Sequence, residues 1–168
     1  SQKQYDNFKS GNSCGESCNT RTEVVIAGSN GGILHAFNTS DGEELWGYIP
    51  PNIIGRLSKM ITSKANATNP IYGIDGSAAI KDIYFDDTPD DNLNNPRWRT
   101  VLFSALGAGG HGYFALDITN IKSPKHLFAF ENDPFDKIIR FWDSSEAKTE
   151  YRYTFAGSLG EEIDYRKL

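Results

Sequence analysis

A string that occurs twice limits this chain more than any other feature. Gly28-Ser29-Asn30-Gly31-Gly32-Ile33-Leu34-His35-Ala36-Phe37-Asn38 is matched without a gap by Gly107-Ala108-Gly109-Gly110-His111-Gly112-Tyr113-Phe114-Ala115-Leu116-Asp117. Ala36 then falls on Ala115 and Asn38 on Asp117. Arg21-Thr22 before the first copy matches Arg99-Thr100 before the second. Leu45-Trp46-Gly47-Tyr48 matches Leu127-Phe128-Ala129-Phe130 if the turn before it is three residues longer in the second copy. A chain that repeats itself builds its fold from one supersecondary unit used more than once.

The first copy shows what the unit is. Val24-Val25-Ile26-Ala27 is a short β-branched run and reads as a strand. Ser29–Gly32 is a tight turn, because Asn and Gly tolerate positive φ. Ile33–Phe37 is a second strand, Thr39–Gly42 a turn of the Asp-Gly kind, and Glu43–Ile49 a third strand. Three strands joined by tight turns make a meander, most of a four-stranded propeller blade. The second copy supplies a full blade: Ala78–Phe85 innermost, with Ala78 and Ala79 toward the central axis, then Trp98–Leu106, Gly112–Ile118 and His126–Glu131. Blade repeats run ~40–50 residues, and insertions at 50–72 and 86–96 account for the longer period. The predicted fold is all-β: a β-propeller segment of about two four-stranded antiparallel blades with a short inserted helix. A closed propeller needs ~4–8 blades. The chain is therefore expected to be part of a larger protein, with outer blade faces that are sticky unless neighbours cover them.

The remaining stretches are placed around these blades. Residues 1–20 read as a polar N-terminal loop with a cysteine pair, tacked down by Tyr5 and Phe8. Residues 21–62 hold a partial first blade and a helical insertion. Asn52 is expected to cap a helix over Ile53–Thr62, with Ile53, Ile54, Leu57 and Ile61 on one apolar face. Residues 63–135 form the second blade with its acidic loop. Residues 136–168 are read as a connection and the start of a third blade: Asn132–Glu150 irregular, with Ile138, Ile139, Phe141 and Trp142 partly buried, then a new strand over Tyr151–Ala156. Gly157–Leu168 is expected to end without a turn or a polar tail, and the fourth strand of the first blade must come from before residue 20, from beyond the chain, or from nowhere.

Composition excludes several classes. Charged residues are 23%, aromatics 12% and glycines 16 in number, a globular β-rich profile and not a disordered one. A net charge of −5 without a basic run argues against nucleic acid. No apolar stretch approaches the ~20 residues of a membrane helix. With no initiator Met and no signal peptide, the chain reads as a mature or excised segment.

Few residues offer chemistry. Cys14 and Cys18 could form a disulfide, a metal site, a redox pair or two free thiols. A zinc site lacks a second pair, a redox Cys-x-x-Cys has other spacing, and exposed thiols oxidise. A structural disulfide and an oxidising compartment are favoured. Asp90-x-Asn92-x-Asn94 reproduces positions one, three and five of a calcium loop, but Val101 stands where the bidentate Glu is needed. Calcium there is the one cofactor candidate; no other cofactor is expected. His35, between Leu34 and Ala36, shows no partner carboxylate in sequence and reads as a packed structural histidine. The Gly107–Gly112 stretch leads into a strand, not a helix, so it reads as a hairpin turn and not an anion loop. No nucleophile–base arrangement is visible, which favours a non-enzyme.

Ala36-x-Asn38-x-x-Asp41-Gly42-x3-Trp46 resembles the tryptophan-docking repeat of quinoprotein-type propellers. In those proteins the Ala and Trp of adjacent blades pack together and the Gly makes the turn. The longer string of Gly28–Phe37, Trp46-Gly47-Tyr48-Ile49-Pro50, Ile74-Asp75-Gly76, Trp98-Arg99-Thr100-Val101-Leu102 and Gly107–Thr119 resembles the C-terminal propeller of the PilC/PilY family, from about Arg21 to Phe130. Gly28, Ala36, Asn38, Gly42, Trp46, Gly107, Ala115 and Asp117 carry the blade signature. The resemblance implies an exported bacterial protein of the periplasm, outer membrane or pilus tip. It implies a role in type IV pilus extension and retraction and in attachment to surfaces. Its partners would be the rest of a larger propeller chain, pilins or minor pilins, and a host or abiotic surface ligand. Two departures stand out: Gly31 where the family has Asp, and His111 where it has a basic residue such as Arg. The family's EF-hand-like calcium loop has no counterpart here, so calcium control of retraction does not carry over. The alternatives are a quinone-dependent dehydrogenase fragment, which would need a cofactor-stacking Trp and a catalytic Asp, and a carbohydrate- or peptide-binding propeller.

Overall fold

A computed structural model describes residues 2–9, 22–62, 71–84, 98–153 and 159–163. The β-branched run forms strand β1 (Val24–Gly28), which pairs with β2 (Leu34–Asn38), and β2 pairs with β3 (Glu44–Tyr48). These three antiparallel strands make the first sheet. The second sheet runs through β4 (Ala78–Tyr84), β5 (Trp98–Ala105), β6 (Gly112–Asp117) and β7 (Lys125–Asp133), and then continues. Strands β8 (Ile138–Trp142), β9 (Lys148–Tyr153) and β10 (Leu159–Ile163) extend it to seven strands.

That extension corrects two expectations. Residues 132–150 are not irregular, and Tyr151 does not open a separate blade. β7 and β8 are joined by a turn that Asp133 organises by accepting the backbone N–H groups of Phe135 and Asp136. The next turn is organised by Asp143, which accepts from Ser145 and Ala147. Both are Asx turns. Charged residues hide the strands: Arg140 in β8 lies between Glu131 and Glu150 on its two neighbours, so ion pairing there replaces an apolar pattern. β10 lies within the Gly157–Leu168 stretch.

The two copies of the repeat share register. Ala36 faces Trp46 and Ala115 faces Phe128, and in both sheets the ladder shifts by one residue immediately afterwards. The extra residue of this bulge is a leucine each time, Leu45 or Leu127. Asn38 and Asp117, at the end of the middle strand, each accept the N–H of the second residue on, Ser40 or Thr119. Asp41 and Asn120 do the same for Glu43 and Lys122. The match fails at the preceding turn. Val24 faces Asn38 and Val101 faces Asp117, so Thr22 and not Arg21 corresponds to Arg99. Likewise Gly28 corresponds to Ala105 and not to Gly107. The turn covers 29–33 in one copy and 106–112 in the other, where it holds a single 3-10 turn, Gly107–Gly109.

The core lies between the sheets. Leu34 from the first sheet meets Leu102, Phe114, Leu116, Ala129 and Trp142 from one face of the second, with Ile53, Ile74 and Leu106 closing one end. The 50–62 insertion is two short helices, α2 (Pro51–Ile54) and α3 (Leu57–Thr62), where one continuous helix was predicted. Asn52 is not its cap. It is buried, and its Nδ2 donates to the carbonyls of Tyr113 and Phe130, tying the insertion to β6 and β7. Ile53 is fully buried, but Ile54 is exposed. The N-terminal stretch is also corrected: Gln2–Lys9 is a helix, α1. Tyr5 and Phe8 do anchor it. Phe8 is buried, the Tyr5 ring lies 4.4 Å from that of Trp98, and its hydroxyl bonds Asp82. β4 is an edge strand, and Ala78 and Ala79 are exposed on it.

Candidate functional site

The seam between the sheets is where the repeat acts. The third strand of the first sheet presents Trp46 and Tyr48 to the second. The Trp46 indole N–H donates to the carbonyl of Ile121, in the loop after β6, at 2.7 Å. The Tyr48 hydroxyl lies 2.7 Å from Nδ1 of His126 at the start of β7, and its ring packs on Phe114. Burial, and secondarily Glu146, pushes the Tyr48 phenol well above its ordinary range. Burial also pushes the His126 imidazole down, against the opposing pull of Glu146 and Asp143. Each partner thus prefers its neutral form, which suits a hydrogen bond inside an apolar seam.

Glycines close the other end of the seam. Residues 71–77 run between the two turns, with Ile74 N–H donating to Ser29 and Asp75 N–H to Leu106. Gly73 lies against the backbone of Gly32 on one side and of Gly109 on the other. A Cβ on Gly73 or Gly109 would overlap backbone atoms, so only glycine lets the three segments meet. The Ile74-Asp75-Gly76 string is therefore the stitch between the repeats. Arg56 bonds the Gly109 carbonyl from the helical insertion.

The second sheet has another face. Strand alternation puts Phe103, Tyr113, Phe128, Phe130 and Phe141 opposite the core. The rings of Phe103 and Tyr113 stand 5.3 Å apart, those of Tyr113 and Phe130 5.0 Å, and those of Phe128 and Phe141 6.2 Å. Phe103, Tyr113 and Phe141 are exposed. The row is continuous and carries no charge at its centre.

The residues predicted for chemistry are not brought together. Cys14, Cys18, Asp90, Asn92 and Asn94 lie outside the described residues. Among the described residues no group of three His, Cys, Asp or Glu is placed to hold a metal ion. The blade signature divides by role. Ala36, Ala115 and Trp46 sit at the bulge, Asn38 and Asp117 make the Asx turns, Gly42 takes a positive φ, and Gly107 belongs to a turn with no counterpart of Gly28. His35 does have a carboxylate partner, Glu44 on the neighbouring strand, with Nδ1 2.7 Å from Oε1. Sequence reasoning missed it because the bulge at Leu45 sets which residue of β3 comes opposite. The Tyr48–His126 pair was equally invisible. Repeat matching aligns positions within a sheet and says nothing of contacts between sheets. Arg140 was missed too. It bonds Asp133 and Glu150 and approaches Glu131, and although burial opposes its charge these partners raise its affinity for the proton.

Comparison with known proteins agrees with this geometry. A family profile described as the PilY1 beta-propeller domain matches residues 4–154. The type IV pilus biogenesis factor PilY1 of Pseudomonas aeruginosa (strain UCBPP-PA14) is 34% identical over 112 residues, 67% of this chain and 9% of that protein. A type IV pilus biogenesis factor PilY1 homolog of Xylella fastidiosa (strain Temecula1) is 36% identical over 100 residues, 60% of this chain and 7% of its own length. The crystal structure of the P. aeruginosa PilY1 C-terminal domain matches with a TM-score of 0.50 at 31% identity, covering 88% of this chain and 24% of that one. The chain thus spans under a tenth of the curated relatives it matches.

Proposed function

We start from the family, for this chain belongs to the PilY1 beta-propeller domain family, and we propose that it is a non-catalytic propeller segment of a type IV pilus-associated protein. It acts through protein contacts in pilus biogenesis, supporting extension and retraction and surface adhesion. Its sites of action are the periplasm, the outer membrane or the pilus tip, and its partners are pilins or minor pilins.

The observation that carries this reading is the docked pair of repeats. The Trp46 and Tyr48 side chains, the polar groups of the seam, are spent on holding one sheet against the other. His35 is bound to Glu44 and stacks on Phe37. Rigid stacking of this kind suits a scaffold that presents surfaces. The names of the matched relatives, biogenesis factors, point the same way. Among the described residues no helix is long and apolar enough to cross a membrane.

The test is complementation. A strain lacking the full-length gene is supplied with wild-type protein or with a Trp46→Ala/Tyr48→Ala variant, and surface pili are counted at matched protein levels. Wild type restores pili and co-purifies with minor pilins, and the variant does neither. Full piliation by the variant would contradict the role given to the seam.

A further inference from the structure

The sequence holds three Asx-Gly pairs, Asn30-Gly31, Asp41-Gly42 and Asp75-Gly76. In such a pair the glycine nitrogen, with no side chain in the way, can attack the side-chain carbonyl carbon before it and close a five-membered imide. The structure separates the three. Gly42 donates its N–H to the Asn38 carbonyl at 2.8 Å, and the Asp41 carboxylate accepts from Glu43 and Asn38. The Asp75 N–H is bound to the Leu106 carbonyl, and Gly76 is pressed against the backbone of Ala105. Asn30-Gly31 has neither restraint. Both residues are exposed, and among the described residues no hydrogen bond takes the Gly31 N–H or the Asn30 side-chain amide. Where a Cβ on Gly31 would stand, the nearest described atom is the Ser29 Oγ at 3.6 Å, so the approach is open. An asparagine amide is also the better electrophile, since an aspartate carboxylate repels the attacking nitrogen.

We propose that Asn30-Gly31 is a site of self-modification. The Gly31 nitrogen gives its proton to hydroxide and forms a bond to Cγ of Asn30. The Cγ–Nδ2 bond breaks, and the amide nitrogen takes a proton from water and leaves as ammonia. Water then opens the imide at either carbonyl. One product is aspartate, and the other is isoaspartate, whose main chain runs through the former side chain. Water is the one co-reactant consumed. The Gly32 N–H closes this turn on the Ser29 carbonyl at 3.0 Å, so the reaction proceeds through local opening and is slower than in the unfolded chain.

The place of the turn gives the change a consequence. Isoaspartate puts an extra carbon into the main chain between Ser29 and Ile33, residues that bond each other through the Ser29 N–H and hydroxyl. The Ser29 carbonyl also takes the Ile74 N–H, and Gly73 lies against Gly32. Lengthening the turn loosens the end of the seam where residues 71–77 join the two repeats. Both products add a negative charge there. The inference is independent of the pilus role, because it concerns the chemistry of one turn and not what the protein binds.

Ageing of the purified full-length protein in mildly alkaline buffer tests it, with peptides mapped by mass spectrometry and isoaspartate told from aspartate by fragmentation. Asn30 is expected to react about tenfold or more faster than Asp41, Asp75 or any other described asparagine. Gly31→Ala, which the open space accepts, is expected to slow the reaction about tenfold or more by crowding the attacking nitrogen. Asn30→Gln, whose longer side chain would have to close a six-membered ring, does the same if Gly31→Ala disturbs the turn. Amide hydrogen exchange at 71–77 is expected to quicken in the aged protein. It should keep its fresh rate in Asn30→Asp, which adds the charge without the extra carbon. Asn30 left intact over a time in which the urea-unfolded protein reacts would show the turn closed to the chemistry and overturn the proposal. Equal reaction at Asp41 or Asp75, or an undiminished rate in both variants, would overturn it too. Unchanged exchange at 71–77 in the isoaspartyl protein would overturn the loosening.

Discussion

Phe114 and His35 occupy the same place in the repeat, in the middle strands β6 and β2 and on the same side of each. Phe114 is fully buried between the sheets, whereas His35 is partly exposed and bonded to a glutamate that is itself half in water. Their neighbours differ in the same way: Leu102 is buried, and its counterpart Val25 is 56% exposed. The strand, its direction and its bulge are properties of the repeat. Burial is a property of what lies against it, and among the described residues the second sheet has a neighbour on this face and the first does not. Substitution should expose the contrast. Phe114→Ala is expected to cost about 3–5 kcal/mol in denaturant unfolding, as core aromatic truncations do. His35→Ala should cost under about 1 kcal/mol. Equal costs would mean that both faces are covered.

A second comparison lies between glycines. Gly109 touches the backbone of Gly73, and a Cβ has nowhere to go. Gly109→Ala should cost about 3 kcal/mol or more, or prevent folding. Gly42 has a φ of +76°, but among the described residues nothing comes within 4 Å of where a Cβ would stand. Gly42→Ala should cost about 1 kcal/mol, the strain of a left-handed backbone alone. Thermal unfolding of the two variants ranks them.

The two aromatic pairs give a smaller difference. Tyr48→Phe removes the hydroxyl from His126 and should cost about 1–1.5 kcal/mol. The reverse change at the equivalent position, Phe130→Tyr, should shift stability by less than about 0.5 kcal/mol. A large gain from Phe130→Tyr would reveal an acceptor waiting on the far side.

The pH dependence is the most modest effect. His126 titrates below its ordinary 6.5 in the fold, so its contribution is complete above that value and is lost as pH falls through the folded one. Tyr48 is raised above 10.0, so its contribution is complete below 10 and is lost at more alkaline pH. Unfolding midpoints measured across this range should fall at both ends, and Tyr48→Phe should remove the alkaline fall.

The copies, their middle strands and the bulge-flanking Ala36 and Ala115 were legible because each side chain had a matched twin. The first-to-middle turn was misjudged by two residues because glycine matches glycine anywhere in a Gly-rich run, and register there depends on hydrogen bonds. The helix at Gln2–Lys9 was missed because its stability comes from Tyr5 and Phe8 on Trp98 and not from a cap or a strong apolar period. Strands β8 and β9 were missed because Arg140 on one and Lys148 on the other both pair with Glu150, a charged set that reads as a solvated loop. Asn52 looked like a cap because its residue type favours caps, yet burial gave it two carbonyls to bridge.

The docking of one repeat on the next is tested most directly by a double-mutant cycle between Tyr48→Phe and His126→Phe, read by equilibrium unfolding. The two residues are far apart in sequence and meet only if the sheets stack as described. A coupling of about 1 kcal/mol is expected. Additive single effects would mean that the two sheets do not hold each other through this pair, and the stacked-repeat account would fail.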